Sequence, residues 1–155
     1  MSDGVGVPCT IYTVGFTKKN ARTFFGLLDE ADIHRLVDVR INNRSQLAGF
    51  AKRDDLKFFL EKLIDAEYDH FESLAPTKEL LDAWRDDAIS WAEYERRFIQ
   101  LMSDREVEKT LDPSLFDKPT VLLCSEHEPD HCHRRLVVEY LDDHWGNVEG
   151  IHLTD

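Results

Sequence analysis

Three short apolar runs constrain this chain most: "TIYTV" (Thr10–Val14), "HRLVDV" (His34–Val39) and "TVLLC" (Thr120–Cys124). Each is rich in β-branched or large aliphatic residues and is too short to be a self-burying helix, which predicts strands covered on both faces. Segments of helical periodicity separate them. After the first run, which ends at Gly15, Asn20 or Thr17 caps a helix carrying Phe24, Phe25, Leu27 and Leu28. After the second comes a polar loop, "INNRSQLAGF", and then Leu56, Phe59, Leu60, Leu63 and Ile64 at the spacing of one buried helix face.

"YDHF" (Tyr68–Phe71) is a short, weaker strand signal, and Pro76-Thr77 opens a helix that runs to Asp86. "SWAE" has the layout of a capping box, with Ser90 at the cap and Glu93 three residues on. Trp91, Tyr94, Phe98 and Leu101 line one face of the helix it starts, and Arg105–Leu111 forms another short one. Pro119 releases the Thr120–Cys124 strand, a helix follows from His131 to His144, Gly146 stops it, and "NVEGIHL" is a closing strand. This alternation predicts an α/β fold: a single three-layer domain with a mostly parallel sheet of about five strands flanked by helices and joined by right-handed crossovers. No linker, repeat or low-complexity stretch divides the chain, so residues 1–9 read as a tail and 10–155 as one domain.

A chain of 155 residues that is 42% hydrophobic buries a real core and is not a disordered one. Its apolar runs fall short of a membrane span, and Met1–Thr10 lacks the basic-then-apolar layout of a signal peptide. The expectation is a cytoplasmic protein with no membrane partner. Three cysteines, Cys9, Cys124 and Cys132, are an odd count that points to thiols rather than a disulfide framework. A net charge of −12 repels nucleic acid over most of the surface, so the placement of the few basic residues matters more than their number.

That placement is uneven. In parallel sheets ligands bind at the carboxyl ends of the strands. The segments leaving those ends carry Lys18, Lys19, Arg40, Arg44, Lys52, Arg53, Arg134 and Arg135, out of 19 basic residues in all. One reading is solvated loop charge balancing an acidic surface; the other is an anion-focusing cleft. "VLLCSEHEPDHCHRR" (Val121–Arg135) bears on the choice. With Asp130 as N-cap, His131–Arg134 fill a first helical turn, where arginine and histidine have the wrong charge unless an anion compensates. Glu126, Glu128 and Asp130 supply one within the chain; a bound phosphate, sulfate or carboxylate supplies it from outside. Helical phase puts His133 on the face of Leu136, Val137, Tyr140 and Leu141, toward the sheet, with Cys132 and Arg134 flanking it and Arg135 mostly outward.

The same stretch holds a Cys/His inventory that zinc accepts: Cys124, His127, His131, Cys132 and His133. Successive helical residues diverge by about 100°, however, which disperses residues 131–133 and assigns no metal ligands here. A thiol role fits better. Cys124 ends a buried strand facing a helix N-terminus, which lowers a thiol pKa, although Cys124 as a small strand-end hydrophobe is the plainer alternative. The logic resembles that of sulfurtransferases and cysteine phosphatases, but their compact cysteine-to-arginine loop is absent. Asp38 and Arg40 ("DVR") share one face of their strand, as a structural ion pair or as a ligand clamp.

Taken in order, "YTVGFT", "LVDVR", "SQLAGF", "LLCSE" and "CHRRLV" resemble the family called domain of unknown function 488, from about Ile11 to Leu153. Many members read Thr-Ile-Gly-His-Ser in the first motif, where this chain keeps Gly15 but has Phe16 and Thr17 in place of His-Ser. Many also carry Leu-Gly-Gly where it has Leu74-Ala75-Pro76. The resemblance implies an α/β fold and one pocket marked by Gly15, Asp38, Arg40, Ser45, Cys124, Glu126, Cys132, His133 and Arg134; it implies no reaction.

The expected function is an enzyme taking a small anionic substrate at the carboxyl edge, without a cofactor. Cys124, His133 and Glu126 would be catalytic, as nucleophile or redox thiol, acid–base and orienting group. Gly15, Asp38, Arg40, Ser45, Cys132 and Arg134 would bind substrate. The alternatives are a non-catalytic module for nucleotides or nucleic acid, and a Cys/His metal protein.

Overall fold

The computed structural model describes residues 9–16, 19–41, 53–124 and 132–154. Their strands are β1 (Cys9–Gly15), β2 (Arg35–Asp38), β3 (Glu67–His70), β4 (Thr120–Cys124) and β5 (Val148–Leu153). They form one sheet in the order β3-β2-β4-β1-β5 with every pairing parallel. The helices between them are α1 (Ala21–Glu30), α2 (Arg53–Ile64), α3 (Lys78–Arg85), α4 (Trp91–Asp104), α5 (Val107–Thr110) and α6 (His133–Trp145). The expected α/β fold and parallel sheet are present.

Local chemistry sets the element boundaries. Asn20 caps α1 by accepting from the Thr23 N–H at 2.8 Å. Thr77 and Ser90 cap α3 and α4 in the same way, each at 3.1 Å. These bonds satisfy amide donors that a helix start leaves without partners. Gly146, at φ 74°, closes α6 in a backbone conformation that costs a side-chain-bearing residue energy.

Alternation along the strands builds two cores. On one face Val14, Leu36, Val121 and Leu123 pack with Phe24, Phe25 and Leu28 of α1 and Leu56 and Leu60 of α2. On the other, Ile11, Val37 and Leu122 pack with Leu80 of α3, Tyr94, Phe98 and Met102 of α4, and Leu136, Val137 and Leu141 of α6. All five residues of β4 are buried, as its unbroken apolar run requires for a strand covered on both sides. One helical expectation is corrected. Leu63 is 58% exposed, because the buried stripe of α2 is narrow and centred on Leu56 and Leu60, with Phe59 and Ile64 only partly covered.

The strand order creates a switch point. The connection after β2 runs outward to β3, whereas the one after β4 runs the other way, across β1 to β5. Helices α1 and α2 accordingly cover one face, and α3, α4 and α6 the other. Where neighbouring strands send their connections in opposite directions, a crevice opens at their carboxyl ends, the usual place for ligands in such sheets. Here that place lies between Asp38 and Cys124. Among the described residues no helix is long and apolar enough to cross a membrane.

Candidate functional site

At the carboxyl end of β2, Asp38 and Arg40 form a bidentate ion pair. Arg40 Nε and Nη2 each donate to the Asp38 carboxylate at 2.8 Å, and the Arg40 backbone N–H donates to it at 3.1 Å. Tyr68, from the neighbouring β3, donates its hydroxyl to the same carboxylate at 2.6 Å. The Arg40 guanidinium also lies 5.3 Å from the centre of the Phe16 ring, within cation–π range. Asp38 is fully buried and Arg40 is 3% exposed, so this is a desolvated pair. His70 Nε2–H donates to the Arg40 carbonyl at 2.7 Å and pins the chain as it leaves the strand.

At the end of β4 stands a second cluster. Cys124 is joined to Cys132 in a disulfide, and Cys9 is the free cysteine among the described residues. The thiol expectation is thereby corrected for Cys124 and Cys132: the fold brings the β4 end against the start of α6, and the odd count concealed a pair. His133 Nδ1 lies 3.7 Å from Cys124 Sγ, and His133 Nε2 is 2.7 Å from the Val39 carbonyl oxygen. A carbonyl only accepts, so Nε2 carries the ring proton and the neutral ring presents the lone pair of Nδ1 to the sulfur. Burial pushes the His133 pKa down to about 4; the bond to Val39 and the Asp38 charge oppose that shift, while Arg134 and Arg85 reinforce it. The ring is therefore neutral at physiological pH. Arg134 is fully buried beside it in the first turn of α6.

The start of α6 differs from expectation in a way that matters. Its N-cap is Cys132, in extended backbone (φ −138°, ψ 138°), and His133 is the first helical residue. The 100° dispersal of adjacent helical side chains therefore does not apply between these two. Both turn toward Cys124, and the ligand atoms of Cys124, Cys132 and His133 lie within 4.8 Å of one another.

The nine marked residues are not one constellation. Asp38 is in register with Leu123, not with Cys124. Parallel partners point to the same side, so the carboxylate and the sulfur leave the sheet on opposite faces. Asp38, Arg40, Tyr68 and Phe16 belong to the α1–α2 side, and Cys124, Cys132 and His133 to the α4–α6 side. They meet only across the carboxyl edge. Gly15 ends β1 in register with Cys124 and is part of that edge. Ser45 and Glu126 lie outside the described residues, as do Lys18, Arg44, Lys52, His127, His131 and the expected cap Asp130. Arg135 is half-buried and bonded to Glu139 at 2.5 Å and Glu95 at 3.3 Å, a packing role. A depression of about 580 Å³ lined by His34, Arg35, Glu67, Asp117 and Lys118, among others, opens at the amino-terminal edge and shares no residue with this cluster.

Three contributors escaped the sequence reading: the Val39 carbonyl, Tyr68 and His70. The signal for the last two was present in "YDHF", since a polar-tipped strand beside "LVDVR" supplies partners to that strand end. Val39 acts through its backbone and leaves no sequence signal.

The family model for domain of unknown function DUF488 matches residues 20–141. The chain belongs to that family. The matched region runs from the α1 cap into α6 and includes Asp38, Arg40, Tyr68, Cys124, Cys132 and His133, with Phe16 outside it. No curated protein and no solved structure gives a significant match.

Proposed function

We propose that this DUF488 protein is a thiol-dependent enzyme handling a small anionic substrate at the switch point between β2 and β4. The carrying observation is the Nδ1 of a neutral, carbonyl-anchored His133 aimed at Cys124 Sγ from 3.7 Å. With the disulfide reduced, the Nδ1 lone pair is placed to accept a hydrogen bond from the Cys124 thiol, the pairing from which a nucleophile is activated. The α6 N-terminus and the Arg134 guanidinium favour the thiolate further. Cys132 then acts as the resolving partner: a dithiol reductant opens the disulfide with two electrons and two protons, and oxidation closes it again. Arg134 on one side of the edge and Arg40 on the other favour an anionic substrate.

The test is alkylation of the reduced protein with iodoacetamide across a pH series, with a metal chelator present and each cysteine followed by mass spectrometry. Cys9 is an internal reference, because burial first and Asp117 second raise its thiol pKa. Cys124 should react at least about three-fold faster than Cys9 at neutral pH, the net of a larger thiolate fraction and the lower nucleophilicity of a more acidic thiol. Sulfate or phosphate should slow Cys124 selectively. Equal rates at the two cysteines would remove the basis for thiol chemistry, and no anion effect would remove the substrate class.

A further inference from the structure

We propose that reduced Cys124 and Cys132 together with His133 form a binding site for a thiophilic divalent cation of the zinc class. The site needs the cysteines reduced but does not depend on the anion-handling reading or on any enzymatic turnover. Four observations converge on it. Two sulfurs and one imidazole nitrogen are all buried, with ligand atoms within 4.8 Å of one another. The Cys124 Sγ to His133 Nδ1 distance of 3.7 Å is close to the ~3.6 Å that bonds of about 2.3 and 2.0–2.1 Å to one tetrahedral zinc dictate. The other ring nitrogen of His133 bonds the Val39 carbonyl at 2.7 Å, the outer-shell contact that fixes a ligating histidine's tautomer and aims its free lone pair.

The fourth observation is the backbone spacing. The Cys124 and Cys132 Cα atoms are 7.2 Å apart, beyond the ~4.4–6.8 Å usual for a disulfide. A metal between the two sulfurs replaces the S–S bond with two metal–sulfur bonds of about 2.3 Å, which suits that wider spacing. Cysteines that flank a strand end and a helix cap, rather than two turns of one helix, make the convergence possible.

The chemistry balances. An external dithiol reduces the disulfide to two thiols and is itself oxidised; the thiols then bind M²⁺ as thiolates and release two protons. Two thiolates, one neutral imidazole and a divalent ion carry no net charge, which is the state a buried position favours. Three protein ligands leave the fourth tetrahedral position for water or a substrate oxygen, the pattern of a catalytic rather than a closed structural site. Oxidation to the disulfide withdraws both sulfurs, so metal and disulfide are mutually exclusive states.

The experiment is titration of the reduced, metal-free full chain with Co²⁺, followed by displacement with Zn²⁺. The expected result is a thiolate-to-cobalt charge-transfer band that saturates at one ion per chain and vanishes when zinc is added. The oxidised protein should give no band. Cys9→Ser should bind unchanged, while Cys132→Ser and His133→Gln should each weaken binding by at least about a hundred-fold. Zinc should also shield Cys124 and Cys132, but not Cys9, from alkylation in the unsubstituted protein, a readout that needs no variant to fold. Absence of the band in the reduced protein, equal binding by the oxidised form, or loss of binding in Cys9→Ser would overturn the assignment. Fast alkylation of Cys124 in chelator without any cobalt band would retain the thiol enzyme and reject the metal site; the converse would do the reverse.

Discussion

Removing the Asp38 carboxylate is the sharpest test of how this edge is held together. Asp38 has no exposed surface and accepts hydrogen bonds from Arg40 Nε, Nη2 and N and from the Tyr68 hydroxyl. Asp38→Ala strips Arg40, itself 3% exposed, of that counter-charge and leaves a cavity beside it. Breaking one side of a buried pair costs about 3–5 kcal/mol. At roughly 2–4 °C per kcal/mol for a chain of this size, the melting temperature should fall by about 6–20 °C. Tyr68→Phe deletes a single bond to the charged acceptor and should cost about 1.5–3 kcal/mol. The double replacement Asp38→Leu/Arg40→Met exchanges the pair for apolar groups and should recover most of the loss. Urea unfolding of the four proteins, followed by circular dichroism, gives all the differences. A loss below about 1 kcal/mol in Asp38→Ala, or a double variant no better than the single one, would refute the desolvated-pair account.

Two further outcomes follow from the structure. His133 has a folded-state pKa of about 4 against an ordinary 6.5, so the unfolded chain binds its proton first as pH falls. The stability this neutral ring contributes is full above pH 6.5 and is lost progressively down to pH 4, a difference of about 3 kcal/mol; His133→Gln should flatten that limb of a pH–stability curve, and an unchanged slope would count against the burial argument. A Cβ at Gly150 would stand 2.7 Å from Val138 Cγ1. Gly150→Ala should therefore destabilise by about 1–3 kcal/mol through overpacking of β5 on α6, as measured by urea unfolding, whereas a neutral result would mean the helix shifts freely.

Much of the fold was readable from one-dimensional periodicity. The run Thr120–Cys124 became β4 with the expected limits, and Asn20, Thr77 and Ser90 cap their helices as their side chains and spacing imply. Strand alternation correctly grouped Asp38 with Arg40, and helical phase turned His133 inward. These are local properties, set by side-chain spacing of two or 3.6 residues and by the hydrogen-bonding needs of a helix end.

Asp38 and Cys124 were legible as strand-end residues, but their geometry was not. Strand order decided that β2 and β4 are neighbours whose connections diverge, and no local pattern encodes which strand lies beside which. Register decided that Asp38 pairs with Leu123, separating the arginine pair from the cysteine cluster by the thickness of the sheet. Most telling is Cys132. As a helical residue it would point about 100° away from His133, and the string "CHRR" reads as scattered ligands. The helix instead begins one residue later, so an extended Cys132 reaches Cys124. By itself, the sequence determined which side chains of each strand and helix face a core, because burial periodicity is written along the chain. Only the tertiary structure decided which of them meet, because that depends on strand neighbours, register and the residue at which a helix starts.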